Sequence, residues 1–563
     1  MASAVVHLGL PHYPRSQAVE QPRRIGVPEP FNWPVRSIIG FRWEGPYRLR
    51  PLPNHVQYGT TTVTANRVTR IANIIWGDGD ADVVRHTGTS FHESSAGVWA
   101  SRIGAFALAA TDSSYWGGSV VQSASAANPG KGVYLFSCRS ESGGLDHIFF
   151  WTGSGNISNT WTAGAPEPGR FVVNYADRAF IFNQSVAGQT RARRGQWSIP
   201  GEALSWTGTG SGSREFAELD NEITSAFTLR GSLYVCSERA ILMGSDTFSA
   251  QSPVHYSYVA SNGIGVWAPN SLIPFEDQVA FLSLRGFIAF DGRQFRDIGG
   301  PDINQQIMQS IFNRTTANTI CGAHLPAPWN LLIWALPLFG VSLPNQVYAY
   351  DYVHDTWLPF GGGFYLSNSN VTAMDTLTRG ASVPWSALVG SWPAQTARWS
   401  ELGGAATFPG LLTGHNTGQI RVWDTTAGTN LNVATQIDTP ILTFEGLQVG
   451  RAQARADDVK TLDSVEVNYR TTGDSQASSL LVFASTDEGV TFQHFGTMAL
   501  NTSGAPGISR RVRVDGRISG TSFIIRLASS GFVGTTFFQF RPNWMLEDWW
   551  IRVRTAGVER SVA

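Results

Sequence analysis

Between residues 63 and 428 the chain is a series of short apolar runs, most of them closed by Gly, Asp or Asn: GAFALAAT, GVYLFSC, HIFFWTG, RFVVNYADRAFIFN, GSLYVCSERAILMG, QVAFLSLRGFIAFDG, LLIWALPLFG, QVYAYDYVHDTWLPF and GQIRVWDTT. Runs of four to eight residues bounded by turn formers are strand-sized and too short for a helical bundle. Most come as pairs, which reads as a succession of hairpins. Composition points the same way, with aromatics at 12%, 59 Gly and 28 Pro. Charged residues are 15%, against a typical ~25%. Such a mixture favours pleated, buried surfaces joined by tight turns.

Phe171, Phe227, Val279 and Leu331 each open a comparable strand, at separations of 56, 52 and 52 residues. A loose repeat of this length matches one four-stranded propeller blade, and the segment has room for about six to eight of them. The expected fold is therefore all-β, with a β-propeller over 63-428. A β-helix or an array of sandwiches is the alternative, because no strict signature marks each repeat.

The flanks differ in texture. Residues 1-62 are rich in Pro and Arg and carry no sustained period, as in an extended arm or part of a platform. From 429 to 563 the strands are longer and cleaner (SVEVNYRTT, SLLVFASTD, SRRVRVDG, WWIRVRTAG), which predicts an antiparallel β-sandwich. One segment breaks the β pattern. In PDINQQIMQSIF the apolar positions Ile303, Ile307, Ile311 and Phe312 share a helical face, predicting a short amphipathic helix near 302-312, with Asp302 or Asn304 as its cap and its stripe packed against the sheet or, as the alternative, exposed for docking.

Candidate chemistry is sparse. Asp291 and Asp297 in GFIAFDGRQFRDIG, with Asp351 and Asp355 in YAYDYVHDTW, are the carboxylates a glycosidase would need in pairs. Asp291-Gly292 between alternating runs is, however, a hairpin signal, so Asp291 and Gly292 are assigned to a turn. Ser485-Thr-Asp-Glu-Gly-Val-Thr-Phe492 resembles an Asp box, a hairpin turn found in sialidases and other β-proteins; this assigns Asp487 and Gly489 to structure. His86, His92 and Glu93 lie at a spacing that fits neither a zincin helix nor a zinc finger. Cys138, Cys236 and Cys321 form no ligand motif and read as buried thiols. No P-loop, Rossmann or nucleophile-elbow pattern occurs. The expectation is of no catalytic, metal or cofactor site.

A formal net charge of −1 excludes attraction to nucleic acid or membrane by bulk field. The clusters Arg23-Arg24, Arg191-Arg194 and Arg510-Arg511 read as partners of acidic neighbours. No secretory leader or membrane-spanning run is apparent, so synthesis in a cytoplasm is expected.

The order SNGIG, QVAFLSLRGFIAFDGRQFRDIG, DINQQIMQSIF, WNLLIWALP and QVYAYDYVHDTWLPF, followed by strands carrying ASTDEGVTF and WWIRVRTAG, resembles the tail nozzle (tail hub) proteins of short-tailed bacteriophages. The resemblance implies a virion structural protein that forms a six-fold ring below a tail adaptor, extends the channel for double-stranded DNA without sequence-specific binding, and docks tail fibres or spikes. It supplies no catalytic residue, so the chain is expected not to be an enzyme. The competing expectation is a carbohydrate-active propeller, either a tail-associated depolymerase or a lectin.

Overall fold

The computed structural model describes residues 66–104, 117–138, 147–300, 314–359, 371–377 and 410–424 apart from short breaks, together with strands of both chain ends within 3–58 and 436–555. It divides into two compact units. One comprises Gln57–Gln346 and Asn368–Val422; the other gathers Met1–Val56, Val347–Ser367 and Trp423–Ala563, so both chain ends fall in the same unit.

The first unit is a β-propeller. Seven antiparallel sheets follow one another at 68–101, 118–151, 169–215, 223–260, 273–297, 321–359 and 371–424, of which 347–359 and 423–424 are counted with the second unit. Each has four strands in meander order except the second, which has three described strands. The fourth strand of the seventh sheet is Asn54–Gln57, from the front of the chain, and next to it Tyr58 N–H donates to the carbonyl of Ile420 at 2.9 Å. The Tyr58–Ile420 bond ties the front of the first unit to its last blade.

The apolar runs are continuous because both faces of a blade are buried. In Val133–Cys138, Tyr134 and Phe136 pack with Ile74, Trp76 and Phe91 of the first blade, while Val133 and Leu135 pack with Val172 and Ile181 of the third. The same alternation recurs in Ser232–Ser237: Leu233 and Val235 face the third blade, Tyr234 and Cys236 the fifth. Each core is therefore shared by two neighbouring sheets, the arrangement that lets a propeller hide its faces without a central layer.

Tight turns join the strands. Ala176-Asp177 (φ 47° and 56°) and Arg230-Gly231 (φ 49° and 75°) connect the first two strands of the third and fourth blades with both central residues left-handed, the twist that suits two-residue hairpins. The four positions that mark the sequence repeat are not equivalent. Phe171 and Phe227 lie in first strands, Val279 and Leu331 in second strands. Both strand positions are apolar and at least half-buried, so hydrophobicity alone does not separate them.

In the second unit, Ser3–Leu8 pairs with Trp544–Thr555, and Ser37–Ile39 pairs with Gln436–Asp438. The first pair belongs to a six-stranded sheet that also contains Lys460–Thr471 and, at its edge, Ser509–Gly520. The second belongs to a five-stranded sheet with Ser478–Ser485 and Gln493–Leu500. The sheets approach closely at Gly496, where a Cβ would lie 2.2 Å from the Val514 side chain.

Of the predicted helix at 302–312, only Asn304 lies among the described residues, in helical conformation; Ile303, Ile307, Ile311 and Phe312 lie outside them. Among the described residues no helix is long and apolar enough to cross a membrane.

Candidate functional site

All seven blades contribute to a central cavity of about 770 Å³, lined mainly by their first strands and the segments just before these. Hydrogen bonds between neighbouring first strands fix its wall. Thr372 Oγ1 donates to the carbonyl of Val68 at 2.6 Å, the Asn73 N–H donates to Asp375 Oδ2 at 2.7 Å, and Thr376 Oγ1 donates to the carbonyl of His324. Elsewhere Ser137 Oγ donates to the carbonyl of Arg170 at 2.7 Å, and Trp334 Nε1 to that of Ser271 at 2.8 Å. The volume suits a small molecule, within the ~300–1,000 Å³ usual for ligand pockets.

The wall is more apolar than polar, and its charges are unevenly placed. Arg67 and Arg70 come from the first blade and Arg170 from the third, whereas Asp375 is the only carboxylate among the described lining residues. Burial raises the pKa of Asp375; the N–H groups of Asn73 and Thr376 and the nearby Arg70 oppose that rise. Arg170 pairs with Glu222 at 3.6 Å. Burial depresses His324 to about 4, leaving it neutral at physiological pH, and lifts the Cys321 thiol to about 12 against the pull of Arg67. Arg67, Arg70 and Arg170 are the guanidinium groups among the described lining residues, and Arg70 is the one that acts on Asp375. Two-carboxylate glycoside hydrolysis requires a second acid beside Asp375.

No family model matches this chain. No curated protein matches it either. Among solved structures, a Trypanosoma rangeli sialidase in complex with the inhibitor DANA aligns over 81% of this chain and 93% of its own, at 8% identity and a TM-score of 0.29. A glycoside hydrolase family 43 arabinoxylan arabinofuranohydrolase from Bacillus subtilis, in complex with cellotetraose, aligns over 88% and 95%, at 10% identity and a TM-score of 0.22. Likeness at these scores transfers no residue role and no substrate. The titles name a sialidase and a glycoside hydrolase, and the expectation that the chain is not an enzyme is withdrawn.

The carboxylates singled out in the sequence are engaged in turns. Asp291 Oδ1 accepts from the N–H groups of Arg293 (2.8 Å) and Gln294 (2.7 Å), holding a loop between the paired Phe290 and Phe295 in which Gly292 takes the positive φ of 92°. These donors lower the Asp291 pKa. Asp297 Oδ1 accepts from the N–H groups of Gly299 and Gly300 and from Asn304 Nδ2, and Asn304 Oδ1 accepts in turn from the Phe287 N–H at 3.0 Å. Asp351 is buried and accepts from the Val353 N–H at 3.1 Å, while Asp355 accepts from the Tyr350 hydroxyl.

Asp487 accepts from Ser485 Oγ at 2.6 Å and from the Thr491 N–H at 2.9 Å, and Ser485 Oγ accepts from the Gly489 N–H at 2.9 Å. These bonds hold the Asp487 carboxyl at about 2. Gly489 takes φ 92°, as a turn of this kind requires.

His86 is fully buried among Phe91, Phe136 and Tyr134, which pushes its pKa well down. Glu93 pairs with Arg102 at 2.7 Å. Among the described residues no group of three His, Cys, Asp or Glu could hold a metal. Cys236 and Cys321 are buried free thiols. Arg511 pairs with Glu466, and Arg193 donates to the carbonyl of Leu219 at 3.0 Å. The cavity arginines escape a linear reading because Arg67 and Arg170 belong to different blades; the available signal was an Arg at or beside the start of a first strand.

Proposed function

We propose that this chain is a structural subunit of a short-tailed bacteriophage tail, of the nozzle type, acting as a six-fold ring that extends the DNA path below the adaptor. The observation that carries this reading is the second unit, in which strands of the two chain ends pair along Ser3–Leu8 and Trp544–Thr555. In the sequence the other unit is inserted between these ends, as a platform built from both chain ends would have it. The strand Ser509–Gly520 lies at the end of its sheet, twelve residues long with alternating exposure, and presents Arg511, Arg513 and Arg517 along an edge of the kind that subunits pair or protect. A closed ring uses two different surfaces of each subunit, and an edge of this length supplies one of them. In this reading the DNA bore lies between subunits, since the cavity within each propeller is sized for a small molecule. Electron microscopy of the chain mixed with its tail adaptor tests the proposal: six-fold rings support it, and monomers alone contradict it.

The cavity favours a second reading, a carbohydrate-active propeller associated with the tail. A glycan-binding and hydrolysis screen separates the two, because turnover lost on Asp375→Asn would assign chemistry to the cavity.

A further inference from the structure

We propose that the seam between the first and seventh blades is an acid-released latch: Arg85 holds its outer part shut while His92 carries no proton, and a proton on His92 opens it. This concerns the propeller alone and stands or falls separately from ring formation.

Two sets of bonds cross the seam. Beside the cavity, Thr372 Oγ1 reaches the carbonyl of Val68 and the Asn73 N–H reaches Asp375. Farther out, Arg85 Nη1 donates to the carbonyl of Gly418 at 2.9 Å and Trp99 Nε1 to that of Tyr58 at 3.4 Å. The Tyr58 and Trp99 rings meet edge to face at 6.0 Å, and the Tyr58 N–H is bonded in turn to Ile420. The outer set depends on one poorly partnered cation. Arg85 Nε and Nη2 are buried without a hydrogen-bond partner among the described residues, and burial alone shifts its pKa, with no carboxylate contributing.

His92 lies directly across the strand pair from Arg85, 5% exposed, with a buried Nδ1 that has no partner among the described residues. The Cβ atoms of opposed residues are ~5 Å apart on one face, so a second cation there sits against the first. Ser94, its Oγ also buried and unpartnered, forms the next pair on that face with Trp99. No acid is placed to absorb the charge. Glu93 alternates to the reverse face and pairs with Arg102 at 2.7 Å. On that face His86, which acts on His92, is itself held neutral by burial and by Arg70. From the seventh blade, His415 is bonded to Thr413 and Arg421 to Gln419. Asp375 works in the opposite sense: burial raises its pKa, so its proton uptake favours the closed seam.

The closed seam holds His92 at about 4, through burial first and Arg85 second, whereas a histidine in water titrates at ~6.5. The open form therefore takes up the proton first, and acid favours opening as pH falls between these values. The inner bonds at Val68 and Asn73 stay made and serve as the hinge.

Hydrogen-deuterium exchange of the full chain from pH 7.5 to 4, corrected for intrinsic exchange, tests this. By pH 5 the strands Phe91–Ser95 and Val98–Ser101 and the hairpin at Gly418 should lose protection about 30-fold, the linkage expected from the two His92 pKa values. Val68–Ile75 and Val371–Leu377 should keep theirs. His92→Gln should abolish the loss, and His92→Asn replaces it should that variant not fold. Protection unchanged at pH 5 in the parent would overturn the proposal, as would a loss spread evenly over all blades or an equal loss in a folded His92 variant.

Discussion

Arg85 donates from Nη1 to the carbonyl oxygen of Gly418 at 2.9 Å, a bond that joins the first blade to the seventh across 333 residues of chain. The side chain is 1% exposed, and its guanidinium lies 4.8 Å from the Trp99 ring centroid. Burial lowers its pKa to about 10, so it stays charged at neutral pH. A buried cation therefore ties the first blade to the seventh within the unit. Arg85→Ala should destabilise the protein by about 2–4 kcal/mol, through the lost charge-assisted bond and the space left behind. Arg85→Met, which keeps most of the volume, should cost less. Urea denaturation checks both, and a loss below about 1 kcal/mol for Arg85→Ala would contradict the closure role.

Asn304 wedges between two glycines. Gly286 has φ 113°, and a Cβ there would lie 2.1 Å from Asn304 Cγ; at Gly299 it would lie 1.8 Å from Asn304 Oδ1. Gly286→Ala should cost more than about 2 kcal/mol, combining backbone strain with collision. Gly79→Ala, with φ 90° and nothing within 4 Å, should cost only the strain, about 1 kcal/mol. Equal losses in thermal denaturation would mean that Asn304 yields.

Asp487 titrates near 2 in the folded state, below the ~3.9 of an unfolded chain. The unfolded chain therefore binds more protons between these values, and the contribution of Asp487, complete above pH ~4, disappears as pH falls through ~2. Asp487→Asn should flatten the acid limb of stability against pH. Parallel curves for variant and parent would remove Asp487 from the turn's electrostatics.

His92 is depressed to about 4 by burial and by Arg85. Here the unfolded chain takes up its proton near pH 6.5 while the folded chain does not, so stability declines from about pH 6.5 to 4 as acid is added. His92→Gln should reduce that slope, read from urea midpoints across the same window. An unchanged slope would place the acid sensitivity elsewhere, with His324 as the next residue to replace.

The strands were legible because each blade buries both faces: Leu233 and Val235 serve one neighbour, Tyr234 and Cys236 the other, and the sequence shows this as an unbroken apolar run. The strand Asn54–Gln57 was not legible, since four residues of mixed polarity in a Pro-rich segment carry no period. The cavity was hidden for a different reason. Arg67, Arg170 and Asp375 become neighbours of one volume only when the ring closes, and no local spacing encodes that. The turn carboxylates Asp291 and Asp487 were visible because their partners lie within four residues.

The nozzle reading is tested most directly by mass spectrometry of tails purified from virions whose genome encodes this chain. The account predicts the chain in the tail fraction at a fixed ratio of six copies per tail. Its absence from purified tails, with the protein recovered instead as a free propeller, would contradict it.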